Sequence, residues 1–396
     1  MDMRLSSEEA AFYEEVRAFL EAALTPEMRR RAALTSTVFA EPDLALEWQR
    51  VLEAKGWLTY HWPREAGGTG WSPIQRYLFE KACADAGAPA LPGMGLKLVG
   101  PVIYTFGTPD QKARYLTPLR TGEHFWAQGF SEPGAGSDLA SLSTRATRQG
   151  NEWTINGVKL WTTQAQFATH LFCLARTAPH AKPQAGISFF LIDMDQPGVR
   201  VRPILSASGD HEINEVFLDD VRVPDADLVG EPGQGWTIAK FLLQNERGGG
   251  TYGPSLVAAI RQAATAIKHL PQARDPLFRD RLARIAIRAE ALETTELRIL
   301  SVLDRGGEPD GLSLATKLLA SEIRQDLEQL NFDAYGLLGL QSPAQRPFYS
   351  DSAPSPIGSR EAQSAAARYL NSRAWSIFGG TSEVQLGLIA RGALDL

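Results

Sequence analysis

Phe125-Trp126-Ala127-Gln128-Gly129-Phe130-Ser131-Glu132-Pro133-Gly134-Ala135-Gly136-Ser137-Asp138 begins as a strand and ends as a turn, and Lys159-Leu160-Trp161-Thr162-Thr163 answers it further along the chain. Phe125, Ala127, Gly129 and Ser131 fall on one side of the first half, and Trp126, Gln128 and Phe130 on the other. Pro133, Gly134 and Gly136 stop the ladder, and Gly136-Ser137-Asp138 puts pliant backbone and short oxygen side chains just beyond the strand end. Backbone N–H groups of such turns form small concavities for anions, and a flat ligand can lie against the strand before them.

Working outward, the 396 residues exceed what one core holds, so two or three domains are expected. A hydrophobic share of 44% and a charged share of 22% are those of a soluble protein. A net charge of -6 without a basic tract argues against nucleic acid as a partner. Cys83 and Cys173 are the only cysteines, which excludes a disulfide framework or a cysteine metal cluster. No apolar run is long enough for a membrane span, and Met1 to Leu20 has no signal-like apolar region. A cytoplasmic enzyme is expected.

The period divides the chain into residues 1–122, 123–230 and 231–396. In the first part, Ser6-Ser7-Glu8-Glu9 is a capping signal for a helix ending near Pro26, and a second helix runs from Pro42 to Lys55 and stops at Gly56. His61 to Gly70 reads as a loop, with His61 structural, and helices follow at Pro73–Ala86, Gly95–Phe106 and Pro109–Tyr115. From His124 the period becomes two. Strands are expected at Glu152–Thr163, His170–Ala175, Ile187–Met194, Val199–Leu205 and Glu212–Leu218. Turns at Asn156-Gly157, Pro197-Gly198 and Asp219-Asp220 would separate them, giving an antiparallel barrel or sandwich. Helical spacing returns over residues 236–269, 276–305, 312–337 and 359–378, as in a four-helix bundle, while the Pro- and Ser-rich Gln341 to Ser359 reads as a mobile surface loop. The fold class is therefore α+β, with a helical domain, a β domain and a helical bundle in that order.

Trp126 to Leu139 followed by Asn156-Gly157-Val158-Lys159-Leu160-Trp161-Thr162-Thr163 closely resembles the flavin-binding strand pair of acyl-CoA dehydrogenases. The resemblance continues through Gly186 to Met194, His211 to Pro224, Gly233-Gln234-Gly235-Trp236 and Ile377 to Glu383, so it covers nearly the whole chain. Within the family the chain looks most like large subunits of bacterial dehydrogenases of dicarboxylyl-CoA or steroid side-chain CoA esters. The resemblance implies FAD as cofactor, an acyl-CoA thioester as substrate and the 2,3-enoyl-CoA as product, with electrons passed to an electron-transfer flavoprotein. It places Gln128, Phe130 and Ser131 beside the isoalloxazine, with Gly136 in the adjoining turn. Trp161 would stack against the ring, and the Thr163 hydroxyl would lie near its reactive nitrogen. Ser137 matches a contact to the CoA portion, and Thr381, Ser382 and Glu383 match a cofactor-contacting stretch.

Taking hydrogen from the bond next to a thioester needs a base for the α proton, donors on the carbonyl oxygen and a hydride acceptor at the β carbon. Most relatives carry the base as a glutamate where this chain has Gly379, in Phe378-Gly379-Gly380-Thr381. Glycine has no proton acceptor, but its backbone N–H can still polarise the thioester oxygen. A second solution in the family puts the base just before an arginine at the start of the bundle, where this chain has Asn245-Glu246-Arg247. By resemblance, Glu246 is the base and Arg247 a contact for the CoA portion. Enclosure by flavin and acyl chain would raise its pKa toward neutrality. Gly248-Gly249-Gly250 makes the helix there irregular and opens the pocket wall, which suggests a bulky, branched, cyclic or long acyl group. The Arg-x-x-Phe-Gly segment that many homotetrameric relatives lend to a neighbour's FAD is missing, the chain reading Arg274-Asp275-Pro276-Leu277-Phe278. A homodimer, or a heteromer with a smaller related subunit, is therefore expected. Two alternatives stay open: a non-catalytic subunit that binds CoA esters, and a flavin oxidase of the same fold.

Overall fold

The computed structural model describes residues 4–179, 182–248, 251–307 and 311–394, with the side chains of residues 245–248, 311 and 312 excepted. The first part holds helices α1 (Ser7–Ala23), α2 (Pro26–Ala33), α3 (Pro42–Lys55), α4 (Pro73–Ala86), α5 (Gly100–Phe106) and α6 (Pro109–Thr121). The expected capping box forms: Ser6 N donates to Glu9 Oε2 at 2.7 Å and Glu9 N donates to Ser6 Oγ at 3.2 Å. Gly56 ends α3 in the left-handed region at φ 75°. Two details depart from the periodicity reading. Pro26 starts α2 after ending α1, because its fixed φ suits a first helical position. The segment before α5 is a π-helix over Met94–Val99, whose Leu96 carbonyl accepts from Trp62 Nε1 at 2.8 Å.

The middle part is a sheet of β1 (Trp126–Gly129), β2 (Arg145–Gln149), β3 (Glu152–Thr163), β4 (His170–Arg176), β5 (Ile187–Asp193), β6 (Val199–Ile204), β7 (Ile213–Pro224) and β8 (Leu228–Val229). The order is β6-β7-β3-β2-β4-β5-β8, with β1 beside β4. The sheet is mostly antiparallel but open, not closed into a barrel; β1 and β2 run parallel to β4. Asn156-Gly157 and Asp219-Asp220 are not turns between strands. They are facing irregularities inside β3 and β7, where the register shifts between Ile155 and Gly157. Asn156 Nδ2 donates to Asp220 Oδ1 at 3.0 Å, and Asp220 N donates to Asn156 Oδ1 at 2.9 Å. Gly157 is required because a Cβ there would lie 2.3 Å from Thr144 Oγ1.

One sheet face, with Phe130, Phe172, Leu174, Phe189 and Leu191, joins the core of the helical domain and takes in Ile238 and Leu242 of α7 (Gly235–Gly248). The other buries Ala127, Trp153, Ile155, Leu171, Phe190, Val216 and Val221 in a second core drawn from the middle part alone. The bundle follows as α8 (Gly253–Ile267), α9 (Pro276–Asp304), α10 (Thr316–Tyr335) and α11 (Arg360–Ser372), ending in α12 (Ser382–Ala393). The helical run expected over residues 236–269 is not continuous: Thr251 and Tyr252 are non-helical, between α7 (Gly235–Gly248) and α8, which starts at Gly253. Gln341 to Ser359 is not loose. Phe348 is 1% exposed against Leu34 and Ala367, and Arg346 Nε donates to the buried Asp210 Oδ1 at 2.9 Å. One buried aromatic ring outweighs the turn-rich composition around it.

Candidate active site

The end of β1 and the end of β3 lie side by side although the ladder does not pair them. Leu160 N donates to Ser131 O at 2.8 Å. Beyond Ser131 the chain turns tightly, Glu132 N donating to Ala135 O at 2.9 Å and Ala135 N to Glu132 O at 3.1 Å. Gly134 and Gly136 sit on this turn at ordinary negative φ, and a Cβ on either would meet nothing within 4 Å. Neither conformation nor neighbours demand glycine there, so the space above them is left open. Phe130 is buried, edge-on to Phe172 and Phe189 with centroids 5.7 Å and 6.1 Å away.

Trp161 stands out. Its φ is 59° and the residue is 56% exposed. A bulky residue in the left-handed region costs roughly 1–2 kcal/mol, and such strain persists only where the surroundings over-determine it. The ladder between β3 and β7 breaks between Lys159 and Thr162 and turns the indole outward. Below this bulge, Lys159 Nζ donates to Glu132 Oε1 at 2.7 Å, to Leu174 O at 2.8 Å and to Phe130 O at 3.4 Å. The side chains of Lys159 and Glu132 are 0% and 3% exposed. Burial alone would raise the Glu132 carboxyl, but the adjacent ammonium and the donors of Ser143 and Thr144 bring it down to about 2. Above the bulge, Asn214 Nδ2 donates to Thr162 O at 3.1 Å and Gln164 N to Glu212 O at 2.7 Å. Among the described residues, the side-chain polar atoms of Gln128, Ser131, Ser137, Trp161 and Thr163 have no hydrogen-bond partner in the chain.

Gly379 and Gly380 have φ of 65° and 94°. Lys317 Nζ holds this segment, donating to Trp375 O at 2.7 Å and to Gly380 O at 2.8 Å. Among the described residues the Gly379 N–H has no acceptor. Thr381 caps α12, its Oγ1 accepting from Val384 N at 3.2 Å, and Glu383 lies exposed in the first turn. Glu246 and Arg247 belong to the last turn of α7, but their side chains lie outside the described residues. His61 Nε2 bonds to Leu96 O at 3.0 Å, and burial pushes the imidazole down to about 3.

Reading the sequence missed the groups that hold these parts. Glu132 and Lys159 lay inside the quoted stretches, and an acid and a base in two facing strand ends were the signal. Glu212 gave none. It is a buried carboxylate that accepts from Val38 N at 2.8 Å and from Asn371 Nδ2 at 3.2 Å, so all three parts of the chain meet on it. Burial pushes it up to about 7.

Comparison with known proteins decides the family. The acyl-CoA dehydrogenase N-terminal, middle and C-terminal domain models match residues 6–123, 127–221 and 233–394. Acyl-CoA dehydrogenase IpdE1 of Mycobacterium tuberculosis is 38% identical over 358 residues, covering 88% of this chain and 87% of that protein. The chain belongs to the acyl-CoA dehydrogenase family. It is an enzyme of that family, an oxidoreductase. Among solved structures, the Tcur3481-Tcur3483 steroid ACAD superposes with a TM-score of 0.83 at 29% identity, over 100% of this chain and 99% of that one. The ChsE4-ChsE5 complex from Mycobacterium tuberculosis gives 0.80 at 27% identity, over 100% and 99%. In this acyl-CoA dehydrogenase no described helix is long and apolar enough to cross a membrane.

Proposed function

We propose that this chain is an FAD-dependent dehydrogenase that converts an acyl-CoA thioester to its 2,3-enoyl-CoA in the cytoplasm. The observation that carries the reading is Trp161, an exposed indole in a strained conformation beside an open glycine turn and unpartnered polar side chains. These features suit a flat, anionic cofactor. Bound FAD would supply the acceptor for the hydride from the β carbon, which no side chain can provide. Gln128, Phe130, Ser131, Gly136, Trp161 and Thr163 would hold the ring and its flank, and Thr381 and Glu383 the remainder. Ser137 and Arg247 would orient the CoA portion.

Glu246 would take the α proton. The Gly379 N–H, free of any acceptor among the described residues, would donate to the thioester oxygen and stabilise the charge that develops there. The three glycines following Arg247 carry no side chains, and two of the relatives above are named as a steroid ACAD and as a complex of two chains. Both facts support a large alicyclic acyl group and a related second chain as partner; an electron-transfer flavoprotein would take the electrons from the reduced cofactor. A panel of CoA esters, from butyryl to steroid-side-chain esters, tests this by dye reduction with the purified chain and with the chain coexpressed with its genomic neighbour. The expected result is a yellow protein selective for the bulky esters; a preference for butyryl-CoA over every larger ester, or a colourless protein in both preparations, overturns it.

A further inference from the structure

Strand order alone leaves Trp161 poorly placed relative to the glycine turn. β1 pairs with β4, whereas β3 lies between β7 and β2, so no ladder fixes the end of β1 against the end of β3. Besides Leu160 N to Ser131 O at 2.8 Å, the connection is made by Lys159. Its ammonium reaches Glu132 in the turn, Phe130 O at the end of β1 and Leu174 O in β4. Three donors on one buried atom thus tie three backbone segments together, which an apolar side chain of equal volume cannot do. A buried ion pair is in itself weak evidence for stability, because desolvation offsets most of the attraction and apolar replacements are often as stable. With 0% and 3% exposure, neither side chain can touch a ligand. On the other side of the bulge, Asn214, itself 0% exposed, grips Thr162 O at 3.1 Å and Gln166 Oε1 at 2.6 Å while His211 Nε2 lies 2.7 Å from its Oδ1.

We infer that the buried Lys159–Glu132 pair and Asn214 are positioning residues, anchoring the bulge from both ends so that Trp161 is presented in its strained conformation to the cofactor. This rests on the functional reading above, in which Trp161 stacks on the flavin. Without the anchors, Trp161 would relax to negative φ and its indole would leave the stacking position.

A double-mutant cycle on the holoenzyme separates positioning from plain structural support, with FAD affinity and the visible circular dichroism of the bound flavin as readouts. Trp161→Ala removes the stack at an exposed site. Glu132→Gln removes the charge from the turn while keeping its shape. Each single change is expected to weaken FAD binding by about tenfold or more and to alter the flavin spectrum in the same sense, while in the Trp161→Ala background Glu132→Gln has less than about a twofold further effect, since coupled residues are non-additive. Additive losses, or an unchanged flavin spectrum in Glu132→Gln, would show the pair to be merely structural and overturn the inference. Where Glu132→Gln does not fold, Asn214→Ala goes through the same cycle with the same two outcomes. A wild-type chain that binds no FAD instead defeats the functional reading, so the two failures are told apart.

Discussion

Glu212→Gln probes how the three parts of the chain are clamped around the site. The wild-type carboxylate accepts from Val38 N and Asn371 Nδ2 and forms no ion pair among the described residues. Burial raises it from 4.5 to about 7. The folded state therefore keeps a proton, between about pH 4.5 and 7, that the unfolded chain has released. Stability falls as pH rises through this window, and the full penalty is present above it. At about 1.36 kcal/mol per pKa unit, the shift corresponds to about 3 kcal/mol. Glutamine carries no charge at any pH and can still accept from Val38 N. The variant should thus melt about 4 °C or more above wild type at pH 8 and close to it at pH 5, since about 1 kcal/mol moves a large domain by about 2–4 °C. Glu296, also buried and raised to about 7, remains in the variant and keeps roughly half of the slope. Melting curves for both proteins between pH 5 and 8.5 decide the matter. Parallel curves, with no pH-dependent gap, would refute the reasoning.

Phe348→Ala should cost about 3–5 kcal/mol, as a fully buried aromatic ring does, and limited proteolysis should then cut within residues 341–359 while wild type resists. Gly379→Glu, made in the Glu246→Gln background to restore a base at the commoner family position, should fail to recover more than a small part of the activity: Gly379 has φ 65°, where a side chain costs about 1–2 kcal/mol, and single-turnover kinetics will show it.

The parts of the fold legible in the sequence were those set by local chemistry. Ser6 and Glu9 cap α1, Gly56 stops α3, and the alternation from Glu152 to Thr163 gives β3 its observed length. Misread places were those where a distant group overrides the local signal. Asn156-Gly157 has the composition of a hairpin turn, yet Thr144 fills the space beside Gly157 and Asp220 satisfies Asn156, so the strand runs on. Phe348 looked like one apolar residue in a Pro- and Ser-rich loop, and only Leu34 and Ala367, remote in sequence, give it a reason to be buried. At the candidate site, Trp161 is singled out by resemblance alone. Its strain and its anchoring through Lys159 and Asn214 were not legible, because both depend on a bulge that no pattern of period two records.

Glu246→Gln, mixed anaerobically with the best ester of the panel, measures the α-proton abstraction assigned to this carboxylate. The amide is nearly isosteric, so FAD content, melting temperature and CoA-ester binding should match wild type. Bleaching of the oxidised flavin should slow by about 10² to 10⁴, the usual worth of a general base. Bleaching at near the wild-type rate would contradict the account and move the catalytic base to another residue.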